Sequence, residues 1–124
     1  MNVVDSCGWL EFFGKGPNGP VFREVLVNGD DLVVPSVTIF EVHKRVAQQR
    51  GEEEALKRTA FMRQAHVVDL SAEIAVSAAR LSSELSLPMA DAIILATARA
   101  HDAVVWTQDA HFEGMPGVEY RAKR

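Results

Sequence analysis

A single cysteine, Cys7, in 124 residues excludes an intrachain disulfide and any zinc site built from several thiolates. Cys7 reads as a small buried hydrophobe, because no histidine stands near it in sequence to activate a nucleophile. No apolar run approaches the ~20 residues needed to cross a bilayer. The opening Met1-Asn2-Val3-Val4-Asp5 also lacks the basic flank and apolar core of a secretion signal, so a cytoplasmic protein without membrane contact is expected. Surplus positive charge is missing as well. With 13 Lys and Arg against 17 Asp and Glu, the net charge is −4, which argues against nucleic-acid binding through a broad cationic surface. It leaves open a protein whose acids are gathered in one place and neutralised there by a cation. Internal repeats and low-complexity segments are absent.

Apolar residues are plentiful at 48% of the chain, enough for one domain over residues 1–124 with a substantial core. The chain is organised around Leu87-Pro88-Met89-Ala90-Asp91-Ala92-Ile93-Ile94-Leu95-Ala96-Thr97-Ala98. Pro88 suits a first helical position, where a missing N–H costs nothing. That places Asp91 in the opening turn, and the scarcity of polar side chains after it predicts a helix covered on most sides. Asp91 then has two readings: a favourable charge at a helix N-terminus, worth about 0.3–1 kcal/mol, or a metal-binding or catalytic carboxylate on a rigid buried element. The positions of the other acids decide between them.

In chain order, Val3-Val4 predicts a short buried strand ending at Asp5-Ser6, and Trp9, Leu10, Phe12 and Phe13 recur at helical spacing. Gly14 to Gly19 is a turn-rich loop, followed by a short helix through Val21, Val25 and Leu26. Leu32-Val33-Val34 is a second strand, Pro35-Ser36 breaks it, and a helix from about Val37 to Arg50 carries Glu41 in its early turns. Gly51 ends that helix, and Glu52-Glu53-Glu54 opens another with the charge favoured there. Val67-Val68-Asp69-Leu70 has strand composition, and Ser71 with Glu73-Ile74 starts a helix reaching Leu85. After the central helix, Ala103 to Thr107 forms a strand running into Gln108-Asp109-Ala110-His111-Phe112, and Val118-Glu119-Tyr120 adds an edge strand. Short apolar strands alternating with helices predict an α/β fold with a mainly parallel sheet covered on both faces. Sites in such sheets form beyond the strands' carboxyl ends.

Asp5 and Asp109 follow predicted strands, while Glu41 and Asp91 lie near helix starts, so all four can face one end of the sheet. Hard divalent cations prefer oxygen ligands, and such ions support attack of water on a phosphodiester. Without a cation the four carboxylates would repel one another, so the cluster is useful chiefly in its presence. Each acid also has an ordinary reading, as a cap or a helix-start charge. Ser6 and Thr107 are suited to orienting a carboxylate, a water or a phosphate oxygen. Histidines 43, 66, 101 and 111 show no compact metal-binding spacing, and of these His111 alone stands close to Asp109.

Val4-Asp5-Ser6, Thr38-Ile39-Phe40-Glu41-Val42, Leu87-Pro88-Met89-Ala90-Asp91-Ala92 and Thr107-Gln108-Asp109-Ala110-His111-Phe112, in that order, resemble the PIN domain and look most like its VapC-type toxins. The resemblance covers nearly the whole chain. It implies a three-layer sandwich, with a central parallel sheet between helices, and a Mg²⁺- or Mn²⁺-dependent ribonuclease acting on RNA. Its acidic positions carry over to Asp5, Glu41, Asp91 and Asp109 as catalytic and metal-binding residues, with Thr107 as the accompanying hydroxyl. Cys7 stands where many relatives have a small hydroxyl residue. The resemblance further implies a homodimer and a cognate antitoxin packed on the toxin. Phe40, Phe61 and Met62 are candidates for the antitoxin's groove or, equally, for the core; Lys44, Arg45, Arg50, Lys57, Arg58 and Arg63 are candidates for guiding RNA phosphates or for solvated helix faces. Two alternatives to a nuclease are a receiver-like domain that accepts a phosphoryl group on an aspartate and a PIN-like fold kept only for binding. Against the receiver, no Lys follows a strand in the last third before Lys123.

Overall fold

The computed structural model describes all residues, 1–124. Strand β1 (Asn2–Val4) leads through helices α1 (Ser6–Phe13) and α2 (Gly19–Leu26) to β2 (Val33–Pro35). Helices α3 (Ser36–Arg50) and α4 (Glu52–Met62) precede β3 (His66–Val68), and α5 (Ala72–Leu85) and α6 (Met89–Ala100) precede β4 (Val104–Thr107) and β5 (Val118–Tyr120). Every strand pairing is parallel. β4 lies between β1 and β5, β2 pairs with β3, and a bridge from Asn2 to Leu32 joins the two groups in the order β3-β2-β1-β4-β5.

Period-two alternation in the short strands builds two cores. Val3, Val33 and Val105 point to one face, against α5 and α6, whereas Val4 and Val34 point to the other, where Trp9, Phe22 and Val42 close over them. The result is an α/β sandwich of a parallel sheet between helical layers. Gly8 lets α1 sit tightly on this second face: a Cβ there would lie 2.6 Å from Val4 Cγ1 and 2.9 Å from the Phe22 ring.

Helix α6 buries eight consecutive residues, Asp91 to Ala98, between the sheet and its neighbouring helices. Full burial of Ile94 and Leu95 is worth about 1.5–3 kcal/mol each. Its apolar character is that of a core element, and no single helix is long and apolar enough to cross a membrane. Pro88 lies just outside α6 as its N-cap rather than at its first position. The third strand is also shorter than its composition suggests. Asp69 and Leu70 lie beyond β3, which is a sheet edge and leaves Leu70 47% exposed. Of the aromatic and apolar groove candidates, Met62 belongs wholly to the core at 0% exposure, while Phe40 and Phe61 are exposed.

Candidate metal centre

The strand order reverses at β1. The chain builds β2 and β3 on one side of it and then crosses to place β4 on the other, so a crevice opens beyond the carboxyl ends of β1 and β4. Asp5 is the residue after β1, and its N–H donates to Trp106 O at 3.0 Å, which continues the β1–β4 ladder into the site. The side chain is 3% exposed and caps α1. Asp5 Oδ1 accepts the Ser6 N–H at 2.7 Å. Oδ2 accepts the Thr107 hydroxyl at 2.8 Å and the Cys7 thiol at 3.3 Å.

Thr107, fully buried at the end of β4, also accepts the N–H of Asp109 at 2.9 Å. One hydroxyl therefore ties the acid after β1 to the acid after β4. Asp109 in turn caps a single 3₁₀ turn, Ala110–Phe112, by accepting the His111 N–H at 2.9 Å. Ser6 points the other way and donates to Glu41 Oε1 at 2.5 Å, bridging α1 to α3. Asp91 enters from the first turn of α6. The structure thus brings Asp5, Glu41, Asp91 and Asp109 to one crevice, with Ser6 and Thr107 between them.

Electrostatics register this crowding. Burial raises the Asp5 carboxyl from 3.8 to about 6, with the charge of Asp91 adding to the rise and hydrogen bonds from Thr107, Cys7 and Ser6 opposing it. Asp91 is likewise raised, first by burial and then by Asp109, with Glu41 contributing, while His111 acts against the shift. No Lys or Arg forms an ion pair with any of the four acids. The basic side chain beside two of them is His111, whose Nδ1 lies 3.0 Å from Asp91 Oδ2 and 3.2 Å from Asp109 Oδ1. Those contacts raise its pKa, the hydrogen bond to Asp91 most of all.

Ligand atoms of Asp91, Asp109 and His111 all lie within 4.8 Å of one another, a spacing that can hold a metal ion. An oxygen-rich donor set in a crevice short of counter-charge fits Mg²⁺ or Mn²⁺.

Two residues play larger parts here than their sequence positions suggested. Cys7 is not an inert hydrophobe: its sulfur touches Asp5 Oδ2 and Thr107 Oγ1, each at 3.3 Å, and burial followed by the Asp5 charge pushes its pKa up to about 12. It therefore stays a protonated donor to Asp5. His111 reaches Asp91 across 20 positions of sequence, a long-range approach that spacing alone cannot reveal. The signal for it was its place two residues after Asp109. Buried Asn18 is a third unforeseen support, donating at 3.0 Å both to Gln108 Oε1 beside Asp109 and to Ala122 O in the tail.

Beside the acids, a cavity of about 370 Å³ is lined by Cys7 and Gln108 on the site side and by Arg45, Arg50, Arg58 and Lys123. Of the basic residues singled out in the sequence, Arg45, Arg50 and Arg58 thus share one cavity, while Lys44, Lys57 and Arg63 stand outside it.

A parallel α/β sheet with carboxylates gathered at its switch point defines a class of folds built to present acids beyond the strand ends. Within that class the chain belongs to the PIN domain family, whose sequence model matches residues 3–118. No curated protein matches it by sequence. Among solved structures, it is similar to a chain of a toxin–antitoxin complex from Klebsiella pneumoniae, with a TM-score of 0.80, 23% identity and 100% of both chains covered. VapC20 of Mycobacterium tuberculosis, described as a sarcin–ricin loop cleaving toxin, gives a TM-score of 0.79 at 16% identity over 98% of this chain and 99% of that one. DNA-bound VapBC of Salmonella typhimurium gives 0.75 at 19% identity over 98% of each chain. These likenesses show a shared fold, and PIN-family membership displaces the receiver-like alternative.

Proposed function

We propose that the protein is a Mg²⁺- or Mn²⁺-dependent endoribonuclease and the toxin member of a toxin–antitoxin pair, with Asp5, Glu41, Asp91 and Asp109 as its catalytic, metal-holding acids. The observation that carries this reading is the convergence of these acids, linked through Ser6, Thr107 and His111, with no Lys or Arg paired to any of them. Such a cluster costs stability unless a cation occupies it.

Asp91, Asp109 and Asp5 would hold the ion, with Asp5 kept in orientation by Thr107 and the Ser6 N–H. Glu41, fixed through Ser6, adds the fourth carboxylate. When bound, the ion supplies activation of the attacking water and stabilisation of the leaving oxygen. The arginine-lined cavity suits flanking phosphates of a single strand, since phosphate contacts position a substrate without demanding a net positive protein.

A groove of about 660 Å³ bounded by Trp9, Leu26, Val27 and Phe61 suits an apolar antitoxin segment. Exposed Leu70 and Met89 flank a smaller apolar groove of about 300 Å³ suited to a second copy of the chain.

The assay is cleavage of labelled RNA by purified protein with Mg²⁺ or Mn²⁺. Asp5→Asn and Asp91→Asn each remove charge at constant size and are expected to lower the rate ~100-fold or more, a loss at least as large as that from disturbing the groups around a metal's ligands. A fully active Asp91→Asn protein would remove the acids from the mechanism, and wild type without cleavage in either ion would favour a binding module.

A further inference from the structure

The proposed metal set is all oxygen, yet the structure puts a nitrogen among those oxygens. We infer that His111 Nδ1 is a direct ligand of the ion and that it biases the centre toward Mn²⁺ over Mg²⁺. The inference rests on the metal-dependent reading above and names a residue and a selectivity that the acids alone do not supply.

Geometry is the first argument. In an octahedral ion with bonds of ~2.1 Å, neighbouring donors stand ~3.0 Å apart. His111 Nδ1 lies 3.0 Å from Asp91 Oδ2 and 3.2 Å from Asp109 Oδ1, close to the edges of such an octahedron. The ring is held there by its own backbone: Asp109 accepts the His111 N–H, and Phe112, the next residue, is 0% exposed and anchored in the core beside α6. The histidine side chain is 58% exposed, so its far edge keeps its hydration and ligation demands little new burial.

Chemistry is the second argument. Mg²⁺ keeps its waters and takes one or two carboxylates, whereas transition-metal ions accept imidazole readily. Mn²⁺ meets both demands of this site, since carboxylates suit it and a nitrogen does not repel it. A centre made of carboxylates alone would lack that discrimination.

The test uses the full-length protein and the metal salts alone. Pulsed electron paramagnetic resonance of bound Mn²⁺ should show coupling to a ¹⁴N nucleus that is lost in His111→Ala. Titration calorimetry should show His111→Ala weakening Mn²⁺ by about 10-fold or more, the scale at which metal sites respond to a lost support, while Mg²⁺ changes several-fold less. Wild-type Mn²⁺ without nitrogen coupling would overturn the inference and leave the metal centre standing, and so would equal weakening of both ions in the variant. If wild type binds neither ion, the metal-dependent reading falls and takes this inference with it.

Discussion

Asp5 concentrates the tension of the site in one side chain. Its carboxyl is held at about 6, against 3.8 in the unfolded chain, so it favours folding where it is protonated and that benefit disappears as pH rises through about 6. The shift corresponds to about 3 kcal/mol between pH 4 and 7. Asp91, also raised, acts with the same sign in this window, whereas His111, raised from 6.5, adds its fall only above 6.5. Urea unfolding of metal-free protein should therefore show stability falling over this window, and Asp5→Asn should flatten part of the fall; identical slopes for the two proteins would contradict it. That these acids lie toward one end of the sheet was legible in the sequence, because Asp5 and Asp109 follow strands while Glu41 and Asp91 sit in the early turns of helices. Cys7 was not, and His111 was only through its nearness to Asp109, because their partners Thr107 and Asp91 are remote in the chain and reached through folding.

Elements were read well where local chemistry defines them. Gly51, with φ of 92°, separates α3 from α4, and Ser71 caps α5 by accepting the Ile74 N–H at 3.1 Å. The strands are three or four residues long, so composition located them while their ends shifted, as at β3. What a window of sequence cannot reveal is how closely one element lies on another. Gly8 in α1 is the instance: nothing in its neighbours along the chain marks it, yet it is where α1 meets Val4 of β1 and Phe22 of α2. Gly8→Ala gains helix propensity but forces Val4 and Phe22 apart, and overpacking of this kind costs about 1–3 kcal/mol. A lower thermal midpoint checks it, and an unchanged or higher one would mean that α1 has room to move.

For the whole molecule, alternating strands and helices announced a parallel sheet but not the order of its strands. The order follows from which faces bury which valines after the entire chain has collapsed, and it is what makes β1 and β4 neighbours. A cation that binds the folded crevice and not the unfolded chain stabilises by about 2.7 kcal/mol at 100 times its dissociation constant. Mn²⁺ should accordingly raise the melting midpoint of wild type by several degrees and leave Asp91→Asn almost unmoved, compared with and without a chelator; no response in wild type would count against a centre here.

The insertion of β4 beside β1 has a consequence for biosynthesis. Strand β1 is synthesised long before residues 104–107, which satisfy its edge toward β4, and Thr107 and Asp109 arrive with or just after them. The acid after β1 and the acid after β4 therefore cannot meet until β4 has been made. On the nuclease reading, cleavage of RNA begins only after that meeting.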